Sequence, residues 1–117
     1  MPDKAPDCIL SLDIEHKDEV AYVKCHGRLI AEVGGNFYTR IRQLMPDHKR
    51  IILDLSDLTY MDSMGLGTLV RLVVSAKTNG CSLELINLGK RIRELLGLTH
   101  LLSCFTIIGE QGVTIGF

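Results

Sequence analysis

Between Tyr60 and Gly67 the chain reads Tyr-Met-Asp-Ser-Met-Gly-Leu-Gly, its densest run of residues able to do chemistry. Asp62 and Ser63 are both good helix caps, and Leu66, Leu69, Val70 and Val73 form an apolar stripe behind them. The spacing predicts a helix from about Ser63 to Asn79, stopped by Asn79-Gly80. Ser63 then lies at a helix amino end, where unpaired N–H groups and the positive end of the macrodipole favour an added anion. Gly65 and Gly67 fall in the first turns of the same helix, although each glycine costs about 1 kcal/mol relative to alanine there. Two accounts of them are open: tight packing of the helix against a neighbouring strand or loop, or a bare surface that leaves Ser63 accessible to a large partner.

The serine itself has four readings. A plain helix cap is the simplest. A hydrolase nucleophile would call for a G-x-S-x-G elbow with a histidine and an acid, but no glycine stands two residues before Ser63 and no histidine is placed as its base. A phosphate-binding loop would need a third glycine where Val70 stands, or a Lys-Ser/Thr pair, and neither is present. A phosphoacceptor fits the helix end, since a phosphate adds about −1.5 to −2 charges beside Asp62. Elsewhere the chain offers little: Cys8, Cys25, Cys81 and Cys104 form no C-x-x-C pair and sit among apolar residues, as buried thiols do. His16, His26, His48 and His100 lack metal-ligand spacing, so neither a metal site nor a cofactor is expected. Lys90, Arg91 and Arg93 read as a solvated helix face.

The elements that would position this segment follow from periodicity. Leu10, Leu12 and Ile14 alternate with polar residues, as do Ala21, Val23 and Cys25, so two strands joined at His16–Glu19 form a hairpin ended by Gly27. Asn36 is a plausible cap for a helix carrying Phe37, Ile41, Leu44 and Met45 on one stripe, stopped by Pro46. Arg50–Leu55 is a compact apolar run, as in a central parallel strand covered on both faces. A polar connection, Ser56–Asp62, leads to the long helix. Cys81–Ile86 reads as a strand, Leu88–Leu96 as a short helix, Leu98–Cys104 as a further turn or two, and Phe105–Ile108 as a last strand. The expected fold is α/β: a mixed sheet opening with an antiparallel hairpin, followed by βαβαβ crossovers with helices packed on it. Residues 1–7 read as a flexible tail and 8–117 as a single domain.

Composition agrees with a chain that buries a core. The 117 residues are 46% hydrophobic and 23% charged, with a formal charge of −1. That balance argues against disorder, and near-neutral charge gives no footprint for nucleic acid. The longest uncharged stretch, Leu95–Gly109, is too short and too interrupted to span a bilayer, so the expectation is a cytoplasmic, monomeric protein that engages neither nucleic acid nor membrane.

From Ile51 to Gly67 the sequence, Ile-Ile-Leu-Asp-Leu-Ser-Asp-Leu-Thr-Tyr-Met-Asp-Ser-Met-Gly-Leu-Gly, closely resembles the signature of bacterial anti-sigma-factor antagonists, the stand-alone STAS domains. The likeness extends from the opening hairpin to the leucine-rich Lys90–Leu98 segment. It implies a STAS fold and a non-enzymatic partner switch. Ser63 would be the phosphoacceptor of an anti-sigma factor that is a GHKL-type serine kinase, a PP2C-type phosphatase would reverse the modification, and the unmodified protein would bind the kinase and free a sigma factor. The docking surface is expected to comprise Arg28, Asp57, Met61, Asp62, Met64, Gly65 and Leu66, with Met61, Met64 and Leu66 as its apolar part and the phosphate close to Asp62 and Asp57. Two departures stand out. Met64 replaces the usual Ser or Thr after the acceptor, and Gly27-Arg28-Leu29-Ile30 has Ile30 where the family's loop carries Asp. Alternatives are an unphosphorylated accessory subunit of a lipid-transport or signalling complex, and a small-ligand binder or enzyme using the helix amino end.

Overall fold

Alternation along the first two strands builds a hairpin in which the apolar sets meet. The computed structural model describes residues 9–90, 92–94, 106–108 and 114–115. Strands β1 (Leu10–Lys17) and β2 (Val20–Leu29) pair antiparallel, with Leu12 opposite Cys25 and Ile14 opposite Val23. Gly27 does not end β2. It sits inside the strand at φ 108°, where a Cβ would collide with the Ile9 carbonyl, so the strand continues past it to Leu29.

Helix α1 spans Ala31–Leu44, six residues earlier than an Asn36 cap would start it. Gly34, Gly35 and Asn36 are therefore inside the helix. Its N-cap is Ile30, which has no side chain able to cap; the donor that Ile30 leaves unmet is satisfied from elsewhere in the chain, as described below. Pro46 ends α1 as expected, in a 3-10 turn over Met45–Asp47. Strand β3 (Arg50–Met61) follows parallel to β2, then α2 (Ser63–Thr78) and β4 (Ser82–Ile86), parallel to β3. The segment Ser56–Asp62 is thus mostly strand: β3 runs to Met61, and register shifts between Lys24/His26 and Gly27/Arg28 accommodate its extra residues. Strand β5 (Thr106–Ile108) lies parallel to β4, and the two-residue β6 (Thr114–Ile115), which no pattern announced, pairs antiparallel with β5. The sheet order is β1-β2-β3-β4-β5-β6. Lys90 and residues 92–94 are helical, within the expected Leu88–Leu96 helix; the expected tail at 1–7, the turn at Leu98–Cys104 and the residues Cys8, Cys104 and His100 lie outside the described residues.

The core forms on one face of the sheet. Ala21, Val23 and Cys25, Ile51, Leu53 and Leu55, and Leu83 and Leu85 pack with Phe37 and Ile41 of α1 and Leu66, Leu69, Leu72 and Ala76 of α2. The central strand is therefore not covered by helices on both faces, among the described residues. On the far face Ile52 is flanked in register by Tyr22 and Glu84, and Asp54 by Lys24 and Ile86. Arg50 closes this face over β4 with a bidentate pair to Glu84, Nε and Nη2 donating at 2.9 and 2.7 Å. The apolar run was a poor guide because Ile52 is sheltered by its cross-strand neighbours and not by a second helical layer.

Candidate functional site

The end of β3 delivers Asp62 into the extended conformation of an N-cap, at φ −96° and ψ 179°. Its Oδ1 accepts the Gly65 N–H at 2.7 Å, which satisfies one of the orphan donors of α2. Its Oδ2 accepts the Ala31 N–H at 3.1 Å, the first residue of α1. One carboxylate thus caps two helices. The Asp62 N–H in turn donates to the Leu29 carbonyl at 3.3 Å, so the β2–α1 and β3–α2 junctions are stitched together at a single residue. Sequence reading saw only half of this role. The available signal was the uncapped Ile30, which leaves the Ala31 N–H in need of an acceptor, but that acceptor is 31 residues from Ala31 in the chain.

The two glycines separate cleanly. A Cβ on Gly65 would lie 2.1 Å from the Leu29 carbonyl oxygen, so the glycine is there for close approach of α2 to the end of β2. A Cβ on Gly67 would meet nothing within 4 Å, so that position presents bare helix to solvent. Ser63 is exposed at the first position of α2, and Met64 beside it is 63% exposed. Tyr60 is exposed on the last residues of β3, opposite exposed Arg28 of β2 in the parallel register.

Several residues expected on the docking surface lie elsewhere. Met61, at the end of β3, and Leu66, on the buried face of α2, are 6% and 3% exposed and belong to the same core cluster as Leu29. Gly65 is buried by Leu29. Asp57 is exposed but directed away from the helices, with His26 Nδ1 at 2.9 Å and Lys24 Nζ at 3.9 Å from its carboxylate. The other nitrogen of His26 is 2.7 Å from Asp13 Oδ2, so this imidazole bridges β1 and β3 through two carboxylates. Arg28, Asp62 and Met64 remain at the site, with Tyr60, Gly67 and Ser63. A cleft of about 740 Å³ adjoins them, floored by Leu58, Met61 and Ile92 and rimmed by Tyr60, Asp62, Ser63, Lys90 and Glu94. Among the described residues no group of three or more His, Cys, Asp or Glu could hold a metal ion, and no helix is long and apolar enough to cross a membrane.

A mixed sheet with an antiparallel first pair, α1 and α2 packed on one face and an exposed serine at the start of α2 describe a small α/β domain. The chain belongs to the STAS domain family, which it matches over residues 11–110. Among solved structures it resembles an anti-sigma-factor antagonist from Mycobacterium paratuberculosis, with a TM-score of 0.75 and 22% identity over 88% of this chain and 87% of that one. It is similar to a Thermotoga maritima protein grouped with the anti-sigma-factor antagonists, at TM-score 0.74 and 23% identity, covering 82% and 84% of the two chains. A third likeness is to the phosphorylated form of the Bacillus cell-fate determinant SpoIIAA, at TM-score 0.66 and 17% identity over 86% and 93%.

Proposed function

We propose that this chain is an anti-sigma-factor antagonist of the partner-switching kind: it binds an anti-sigma factor that is a GHKL-type serine kinase while Ser63 is unmodified, and it leaves when Ser63 carries a phosphate. The observation that carries this reading is the exposed hydroxyl of Ser63 at the first position of α2, next to a capping Asp62 and a bare Gly67. The similar SpoIIAA has been solved in a phosphorylated form, which supports phosphate chemistry on this fold. The kinase would dock over Tyr60, Met64 and Gly67, with Arg28 at the edge, and a PP2C-type phosphatase would restore binding.

The physics of release is local. A phosphate of about −1.5 to −2 charges is tolerated at a helix amino end, so modification leaves α2 and the sheet in place. Burying it against a partner that does not pair it costs several kcal/mol, and about 3 kcal/mol already weakens binding more than a hundredfold. The test measures affinity for the cognate anti-sigma factor with wild type, Ser63→Ala and Ser63→Glu, together with phosphate transfer to Ser63 in the presence of Mg-ATP. Tight binding by Ser63→Ala and loss by Ser63→Glu is the expected pattern. Equal affinity of the two variants sinks the switch, and an unmodified Ser63 in a chain that co-purifies with a transporter makes it an accessory subunit instead.

A further inference from the structure

We propose that Asp62 couples the state of Ser63 to the first turn of α1, so that phosphorylation loosens a second element as well as charging the first. This rests on the reading of Ser63 as the modified residue. The geometry behind it is the shared carboxylate: Oδ1 holds the Gly65 N–H of α2 at 2.7 Å and Oδ2 holds the Ala31 N–H of α1 at 3.1 Å.

The start of α1 depends on that contact to an unusual degree. Its N-cap, Ile30, makes no side-chain capping bond. Gly34 and Gly35 stand within its first turns, where glycine is the weakest non-proline helix former. A Cβ on Gly35 would meet nothing within 4 Å, so no packing requires a glycine there. Ala31 and Glu32 are exposed, and Glu32 adds a further negative charge to that turn. An element built this way opens locally when its tie is lost.

A phosphate on Ser63 is one residue from that tie. It repels the Asp62 carboxylate and competes for the same N–H groups at the amino end of α2. Of the two Asp62 bonds, the one to Ala31 is longer and exposed, and it crosses between elements, whereas the one to Gly65 lies within a single helical turn. The Ala31 bond yields first, and α1 frays from its amino end.

The test is amide hydrogen exchange by NMR on the full chain, with phosphoserine installed at position 63 during synthesis so that no kinase is needed. Exchange at Ala31 and Gly35 rises about tenfold or more on phosphorylation, the equivalent of about 1.4 kcal/mol, while Ala76 in the core of α2 is unchanged. Asp62→Asn, whose single carboxamide oxygen cannot serve both helices, exchanges fast at Ala31 without phosphate and shows no further response. Ile30→Asp gives α1 its own cap, and Gly35 then ignores the phosphate. Exchange at Ala31 and Gly35 that stays within about twofold of the unmodified protein overturns the coupling. If partner binding is lost while exchange is unchanged, only the coupling falls; if exchange rises while partner affinity is unchanged, only the switch falls. Should Asp62→Asn fail to fold, the Ile30→Asp comparison decides.

Discussion

Replacing Gly65 by alanine puts the packing of α2 to a direct test, because the new methyl would lie 2.1 Å from the Leu29 carbonyl oxygen, 2.9 Å from the carbonyl carbon and 3.0 Å from Leu29 Cγ. The nearest obstacle is backbone, held by the Asp62 N–H at 3.3 Å, and cannot rotate aside. Restoring ordinary contact requires α2 to retreat by about 1 Å, and overpacking of that kind costs about 1–3 kcal/mol. The retreat also stretches the Asp62 bonds to Gly65 and Ala31, and a lost cap costs about 1 kcal/mol. Helix propensity returns about 1 kcal/mol. The expected net effect of Gly65→Ala is destabilisation by about 2 kcal/mol. Gly67→Ala meets open space and stabilises by about 0.4–1 kcal/mol through the unfolded chain. Urea unfolding of the two variants at equal m-value reads the difference, and in a chain of this size it separates their melting temperatures by roughly 10 °C. A Gly65→Ala protein as stable as wild type would refute the close approach of α2 to β2, and with it the geometry that sets Ser63 outward.

Two further outcomes follow from the sheet. Arg50 holds the Glu84 carboxyl below its usual value through their bidentate hydrogen bond, and the Glu84 side chain is only 8% exposed. A depressed folded value means that the contribution is complete above the unfolded value and disappears as pH falls through the folded one. Wild type should therefore lose stability more steeply than Glu84→Gln as pH drops below about 4.5, while at neutral pH the variant is weaker by about 1 kcal/mol, Arg50 being partly solvated; parallel pH profiles would count against the pair. Burial, with Asp54 nearby, pushes the Cys25 thiol up to about 12, so it stays unalkylated by iodoacetamide at pH 8 until the sheet opens. Site-resolved mass spectrometry showing Cys25 modified as fast as an unfolded control would contradict its place in the core.

Much of the architecture was legible because each element advertises itself within a short window. Alternation at Leu10–Ile14 and Ala21–Cys25 gave the hairpin, and the i, i+3, i+4 stripe gave α2 to within a residue of its observed end. Failures came where the deciding contact is distant in sequence. Asn36 looked like the start of α1 because it is the nearest capping residue, whereas the cap is supplied by Asp62 across the fold. Ser56–Asp62 looked like a loop because its polar residues break the alternation, yet register shifts let β3 continue beside β2. At the site, Ser63 and Asp62 could be placed from their position before the stripe. The inward turn of Met61 and Leu66 could not, since a residue at the mouth of a helix can face either way until its neighbours are fixed.

The corrected positions sharpen the case for a switch at this helix end. With Gly65 and Leu66 inside and Met61 largely so, the exposed large apolar side chains near Ser63 are Tyr60 and Met64, beside the cleft floored by Leu58, Met61 and Ile92, with Val74 exposed farther along α2. With Asp57 paired to His26 and Lys24, the carboxylate next to Ser63 is that of Asp62, with Glu94 on the rim of the same cleft. That carboxylate is already committed to two N–H groups, which delocalise and shield it. On the proposed reading, a partner would meet the unmodified protein at Tyr60, Met64 and the bare Gly67, beside an Asp62 carboxylate that is already hydrogen-bonded. A phosphate reverses the balance: it adds up to two charges and weakens the arrangement that kept Asp62 quiet. On the proposed switch, one small covalent change would count twice at the surface where docking would occur.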